Sequence, residues 1–155
     1  MEIERKFLIA MMPESLSDYP HHEIEQGYLC TDPVVRIRRQ DDDYILTYKS
    51  GGLMAREEYN LPLNAQAYAH LKEKADGRRI SKTRYLIPLA LYTIELDVFH
   101  GDLFPLVLAE VEFESIEAAQ SFVPPDWFGE DVTYDGRYHN SYLSGCSSSD
   151  IPHSF

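Results

Sequence analysis

Much of the chain alternates apolar and polar residues with a period of two, the pattern of strands that bury one face. Glu2–Ile9 and Val34–Gln40 alternate in this way, and Ile24–Leu29 predicts a short strand before a turn at Thr31-Asp32-Pro33. Asp41-Asp42-Asp43 turns the chain into a strand over Tyr44–Lys49, and Ser50-Gly51-Gly52 closes that hairpin. Ala55–Leu63 predicts the next strand. Asn64 then caps a helix from Ala65 to about Ala75, ended by Asp76-Gly77. Arg78–Pro88 and Leu91–Phe99 predict a hairpin, His100-Gly101-Asp102 a turn, and Leu106–Glu114 the last long strand. Ser115 caps a helix over Ile116–Phe122 that Pro124-Pro125 stops, and a final short helix covers Arg137–Leu143. The result is about eight strands joined mostly by turns too short for parallel crossovers. The predicted class is mainly β (α+β) and antiparallel, and closure into a barrel would remove exposed edges.

At 155 residues, 44% of them apolar, the chain suits one domain with a sizeable core. Residues 1–155 read as that single domain, with the polar stretch Ser144–Phe155 as a flexible tail. A formal net charge of −12 argues against a broad basic face for nucleic acid or an anionic membrane, though not against a small basic pocket. No stretch approaches the roughly 18 apolar residues of a membrane span. The N-terminal Met-Glu-Ile-Glu-Arg-Lys lacks the layout of a signal peptide. Cys30 and Cys146 form no disulfide framework, and a reduced cytoplasmic setting fits both.

Residues two apart on a strand share a face. Glu2, Glu4 and Lys6 therefore lie together, opposite Ile3, Arg5 and Phe7. Arg36 and Arg38 are in phase, as are Lys82 with Arg84 and Glu95 with Asp97. Glu110, Glu112 and Glu114 form one row, and Arg56, Glu58 and Asn60 another, while Lys49 ends its strand. Any one row could be an ordinary solvated face. As a set the rows are segregated by sign, and like charges on neighbouring strands repel. Such rows predict a ligand that neutralises them. Lys6, Arg36, Arg38, Lys49, Arg56, Lys82 and Arg84 suit a compact polyanion, since arginine forks grip phosphate oxygens and lysine supplies a point charge. Glu2, Glu4, Glu95, Asp97, Glu110 and Glu112 would repel that anion unless a divalent metal such as Mg²⁺ or Mn²⁺ lay between.

Glu2-Ile-Glu4-Arg-Lys6 resembles the ExExK element that opens CYTH-domain proteins, the triphosphate tunnel metalloenzymes. Val35-Arg36-Ile-Arg38 is similar to the family's RxR strand, and Leu46-Thr-Tyr-Lys49 to its lysine strand. Arg56–Leu63, Ile80–Tyr85, Ile94–Phe99 and Ala109–Phe113 resemble later elements in order, and Trp127-Phe128-Gly129, Val132-Thr133 and Arg137-Tyr138-His-Asn140 resemble the end of short bacterial-type members. Asn60 departs from the family's Arg-x-Glu-x-Glu strand, which weakens a metal role there. The resemblance covers about residues 1–143. It implies a closed eight-stranded antiparallel β-barrel tunnel with a few flanking helices. It also implies an enzyme that acts on a triphosphate with Mg²⁺ or Mn²⁺.

The expected activity is metal-dependent hydrolysis of tripolyphosphate or a related organic triphosphate. The seven cations hold the phosphates. One metal is expected on Glu2, Glu4, Glu110 and Glu112, and a second near Glu95 and Asp97 to orient the attacking water. Lys6, Glu4 and Glu112 are the expected catalytic residues, with Glu4 or Glu112 as an alternative acceptor of the water's proton. The alternatives are a class IV adenylyl cyclase and a non-catalytic polyphosphate- or nucleotide-binding module. The outer apolar faces leave room for a homodimer. His21-His22, His100 and His139 read as solvated loop residues, Arg137 as a surface arginine, and Tyr28 as a wall or core tyrosine. The resemblance also places a helix at the C-terminal end as a candidate plug of the tunnel.

Overall fold

The computed structural model describes residues 1–146 and 148–150. Its strands are β1 (Glu2–Ile9), β2 (His21–Thr31), β3 (Val34–Gln40), β4 (Asp43–Lys49), β5 (Ala55–Arg56), β6 (Glu58–Leu63), β7 (Asp76–Leu89), β8 (Tyr92–Phe99), β9 (Val107–Glu112) and β10 (Phe128–Asp131). Its α-helices are α1 (Ala65–Lys72), α2 (Ile116–Ser121) and α3 (Asn140–Leu143). All strand pairs are antiparallel, in the hydrogen-bonded order β10-β1-β9-β8-β7-β2-β3-β4-β6, with β5 on β1.

The mainly β, antiparallel expectation holds, but the described residues form ten strands rather than eight. β10 is only four residues long and too short for alternation to reveal. The single strand expected over Ala55–Leu63 is split at Glu57, because β5 pairs with β1 while β6 pairs with β4. Ser50 locks the break: its N–H donates to the Glu57 carbonyl (3.0 Å) and its hydroxyl accepts from the Glu57 N–H (2.9 Å). Gly52 makes the turn before it, at φ 117° and with no room for a Cβ, which would stand 2.7 Å from the Ala55 carbonyl oxygen. No ladder joins β6 to β1, so the sheet is not closed by continuous hydrogen bonding. The chain itself spans that gap through β6, Glu57 and β5.

The apolar rows pack as the alternation requires. Ile3, Phe7, Leu96, Ala109 and Val111 form the outer core beneath α2 and β10. Ser115 caps α2 by accepting from the Ala118 N–H, and Asn64 caps α1 by accepting from Ala67. The α1 helix stops at Lys72 rather than near Ala75, because Lys74 and Ala75 donate three residues back, to Leu71 and Lys72, and tighten the last turn. Tyr68 of α1 packs on Tyr44, with ring centroids 5.2 Å apart.

Several loop expectations are corrected. His21 and His22 open β2, and His22 pairs with Asp41 at 2.7 Å. His139 is buried, its Nε2 3.1 Å from the Thr133 carbonyl oxygen. His100 is exposed, as expected, and hydrogen-bonded to Thr83. Ser144 and Cys146 are buried, so a tail cannot begin at Ser144; residues 147 and 151–155 lie outside the described residues. The final helix over Arg137–Leu143 is instead a 3₁₀ turn at Gly136–Tyr138 followed by α3.

Arg5, on the apolar face of β1, fastens α2 to the sheet. Its guanidinium donates to the Ala119 and Phe122 carbonyls (both 3.0 Å) and to Asp131 (2.9 Å), and lies 5.0 Å from the Phe7 ring centroid. The first bond adds to the long Phe122 N–H bond (3.4 Å) at the Ala119 carbonyl, and the second satisfies the Phe122 carbonyl just past the end of α2. Arg5→Ala should destabilise the protein by about 2 kcal/mol, the scale of losing hydrogen bonds to a charged group. Thermal unfolding should show this as a melting temperature lower by roughly 5 °C.

Candidate active site

Along the inner rows of β1, β7, β8 and β9 the chemistry changes from charged to apolar. On β1 the row runs Glu2, Glu4, Lys6, Leu8, and on β9, read backwards, Glu112, Glu110, Leu108. On β8 it runs Glu95, Asp97, Phe99, and on β7 Arg84, Lys82, Ile80. The apolar ends gather around Tyr28, Phe99 and Leu108, and the C-terminal segment fills them with Tyr138, Leu143 and Cys146. The charged ends line a cavity of about 240 Å³.

Eleven of the thirteen predicted site residues line that cavity: Glu2, Glu4, Lys6, Arg36, Arg38, Lys49, Arg56, Arg84, Glu95, Glu110 and Glu112. Lys82 and Asp97 share the inner face but do not reach it. They are 0% and 1% exposed and joined at 2.7 Å, with the Lys82 ammonium 5.4 Å from the Phe99 ring centroid. Parity reports which face a residue takes, not how deep it lies along the strand.

Most of the lining charges are paired. Lys49 donates to both oxygens of Glu2 (2.9 and 3.0 Å) and pairs with Glu58 (3.2 Å), and Arg56 stands 3.5 Å from Glu2. Lys6 pairs with Glu110 (3.2 Å) and donates to the Tyr138 carbonyl (3.1 Å). Arg84 grips Asp97 at 2.7 and 2.9 Å and reaches Glu95 (3.2 Å) and Glu110 (3.5 Å). Burial opposes the charge on both Lys6 and Lys82, with opposite outcomes. Glu110 and Glu4 outweigh it at Lys6 and raise the ammonium, whereas Lys82, with Asp97 set against Arg84 and Arg38, is pushed down to about 7. Burial also opposes ionisation of Glu110, but Lys6 and Arg84 hold it well below the usual carboxylate range.

Four lining charges are left over. Among the described residues, Arg36 and Arg38 on β3 have no carboxylate partner, and Glu4 on β1 and Glu112 on β9 have no cation. The buried Arg36 Nε has no hydrogen-bond acceptor, and Arg38 spends its Nε on Gln26 (2.9 Å). Burial, then Arg36 and Arg84, bring Arg38 down to about 9. Glu4 and Glu112 are cross-strand partners. Burial, then Glu110 and Glu2, raise Glu4 to about 8, and burial with Glu2 and Glu95 also raises Glu112. Along the ladder β3 lies four strands from β9, so the unpaired cations and anions stand on separate strands that line one cavity.

Other lining residues were not assigned from sequence. Glu58, Asn60 and Thr47 face inward, the Asn60 amide bridging Thr47 (2.6 Å) and Glu58 (3.1 Å). Their phase with Lys49 and Arg56 was the available signal. Gln40 lines the cavity at the end of β3, and Asn140 enters from the C-terminal segment, where no periodicity could mark it. Arg137 is exposed and paired with Asp135 at 2.6 Å, as a surface arginine should be.

The acids are not gathered into a ready-made metal cage: no group of three His, Cys, Asp or Glu among the described residues could hold an ion alone. Glu2, Glu95, Asp97 and Glu110 are engaged by cations. The bare pair Glu4 and Glu112 does fit a hard divalent ion, which commonly takes one or two carboxylates and completes its shell with phosphate oxygens and water.

An uncompensated Glu4 should cost stability with a definite sign. Its folded pKa, about 8, lies above the ordinary 4.5, so the native state keeps a proton that the unfolded chain has released between those pH values. Stability from this group is complete below pH 4.5 and lost as pH rises to about 8. Without divalent ions, Glu4→Gln should be more stable than the parent above pH 8, by about 1–3 kcal/mol. The difference should vanish near pH 4.5, as melting temperatures across that range will show.

Comparison with known proteins agrees with this arrangement. The model of the CYTH domain family matches residues 1–138. An inorganic triphosphatase of Nitrosomonas europaea is 47% identical over 148 residues, covering 92% of this chain and 96% of that protein. One from Acetivibrio thermocellus is 36% identical over 148 residues, covering 92% of each. The crystal structure of an inorganic triphosphatase superposes with a TM-score of 0.70 at 44% identity, covering 93% of this chain and 94% of that one. A putative adenylyl cyclase from Hippeastrum, described as having a dominant triphosphatase activity, shares the fold at a TM-score of 0.60 and 16% identity, over 77% of this chain and 83% of that one. Charged inner rows, antiparallel sheet and matched sequence agree: the chain belongs to the CYTH domain family.

Proposed function

We propose that the protein hydrolyses tripolyphosphate to pyrophosphate and phosphate with a divalent ion, Mg²⁺ or Mn²⁺. The observation that carries this reading is the set of unpaired charges lining one cavity: Arg36 and Arg38 without anions, Glu4 and Glu112 without cations. A polyphosphate alone satisfies only the first pair, and a metal alone only the second. The relatives named inorganic triphosphatase support the same chemistry.

In this reading Arg36 and Arg38 grip phosphate oxygens with their forks. Lys6, Lys49, Arg56 and Arg84 turn from their resting carboxylates toward the substrate. Glu4 and Glu112 hold the divalent ion, which when bound neutralises phosphate oxygens. Lys82 and Asp97 act from behind, bracing Arg84, and are withdrawn from direct contact. With Asp97 so engaged, nothing supports a second ion there. Water attacks a terminal phosphorus, the P–O anhydride bond breaks, and pyrophosphate leaves. In the alternative arrangement one of Glu4 and Glu112 leaves the ion to the other and instead takes the water's proton. No side-chain nucleophile is required, because positioning and charge neutralisation provide most of the catalysis in phosphoryl transfer. The sheet closes as a tunnel around the loaded site, β6 and β5 bridging β4 to β1. Among the described lining residues only Tyr28, Val34 and Ile45 offer apolar surface, which gives little purchase for a nucleoside base and favours the inorganic substrate.

The test is phosphate release from tripolyphosphate, ATP and thiamine triphosphate with Mg²⁺ or Mn²⁺. Release should be greatest from tripolyphosphate and abolished by chelation. Folded protein that releases none from any of them would end the hydrolase reading, and cyclic AMP in the ATP arm would favour a cyclase. Lys6→Ala and Arg36→Ala should each lower turnover by about 10²–10³, the scale of removing one charge-stabilising donor. Both should keep a cooperative melting transition.

A further inference from the structure

Lys6 lies at a seam in the sheet. Along the outer edge of β1, β5 covers Glu2 and Ile3, while β10 covers Phe7 and Ile9. Between them no strand is present among the described residues. The Glu4 N–H is taken by the Met54 carbonyl (3.1 Å). The Lys6 N–H donates instead to a side chain, the Thr133 hydroxyl (3.0 Å), and the Lys6 carbonyl accepts from the Val132 N–H (2.8 Å). The same stretch reaches the far end of the side chain, where the Lys6 ammonium donates to the Tyr138 carbonyl (3.1 Å) beside Glu110 (3.2 Å). Backbone and ammonium of one residue are thus both held by a segment more than 120 positions away in sequence.

Thr133 is itself held from three sides. Its hydroxyl accepts from Lys6 and donates to Asp131 Oδ1, and its N–H donates to the same carboxylate oxygen (2.9 Å). Asp131 is tied in turn to Arg5 (2.9 Å). The Thr133 carbonyl faces His139 Nε2 at 3.1 Å, and both residues are buried. Burial, with Lys6 nearby, lowers His139 to about 4, so the ring is neutral near pH 7 and places its one proton on Nε2 to meet that carbonyl.

We propose that Thr133 is a positioning residue for the reaction, its hydroxyl fixing the β1 backbone at Lys6 so that the ammonium is aimed at the phosphates. This rests on the reading that Lys6 acts on substrate. The hydroxyl fills a place where a continuous strand would have supplied a backbone acceptor. A small backbone shift there is amplified along a four-carbon arm, and misplacement by about 1 Å can cost as much as 10² in rate.

Thr133→Val keeps the shape and removes the acceptor. With tripolyphosphate and Mn²⁺, kcat should fall by about tenfold with KM little changed, the pattern of an interaction that matters in the transition state. Thr133→Ser, which keeps the hydroxyl, should restore most of the rate. If the valine variant does not fold, Thr133→Ala takes its place with the same readings. The deciding measurement is the cycle with Lys6→Ala, whose residual rate is read at high enzyme concentration. Acting through Lys6, Thr133→Val should cost nothing further in that background. An equal loss in both backgrounds, an unchanged kcat, a rise confined to KM, or no rescue by serine would overturn the proposal. Full activity of Lys6→Ala itself would instead refute the underlying reading of the site.

Discussion

Four charges with no oppositely charged partner among the described residues, lining a small cavity, are the constraint on which the rest of the structure depends. Taking ions out of water is costly, and the cost is recovered only where opposite charges and hydrogen bonds replace the solvent. Lys6, Lys49, Arg56 and Arg84 recover it by pairing with Glu110, Glu2 and Asp97. Arg36, Arg38, Glu4 and Glu112 do not, although two of the strongest shifts in proton affinity fall on Arg38 and Glu4. A fold selected for stability alone would not keep them. Retained around one cavity, they would be completed together by an anion and a cation.

The apolar half of the sheet's inner face holds that arrangement in place. The inner rows of β1, β7, β8 and β9 pass from charge to hydrocarbon within a few residues, and the C-terminal segment packs Tyr138, Leu143 and Cys146 into the hydrocarbon end. The buried Lys82–Asp97 pair lies at the boundary, where it braces Arg84 rather than facing the cavity. On the outside, Arg5 joins α2, Asp131 and the aromatic cluster around Phe7 to the strand that carries Glu4 and Lys6. The same strand therefore bears the functional row on one face and the main structural anchor on the other.

The faces of the strands were legible in the sequence because alternation is a local property. Glu2, Glu4 and Lys6, or Arg36 and Arg38, could be assigned to one side without knowing their neighbours. What alternation could not convey was depth, pairing and interruption. Lys82 and Arg84 are in phase, yet two residues along a strand separate the cavity from the core. Ala55–Leu63 reads as one strand, and only the competing partners β1 and β4 reveal the break at Glu57. Thr133 lies in irregular backbone, held by a contact with Lys6 more than a hundred residues away, and leaves no period to read. His139 looked like a solvated histidine because nothing in its neighbours announces the Thr133 carbonyl.

The most direct test of the central claim is diffraction from crystals grown with tripolyphosphate and Mn²⁺. The account predicts phosphate oxygens within hydrogen-bonding distance of Arg36 and Arg38, including the bare Arg36 Nε, and an ion bridging those phosphates to Glu4 and Glu112. Density for the anion or the ion outside the cavity, with those four side chains still unpartnered, would contradict it.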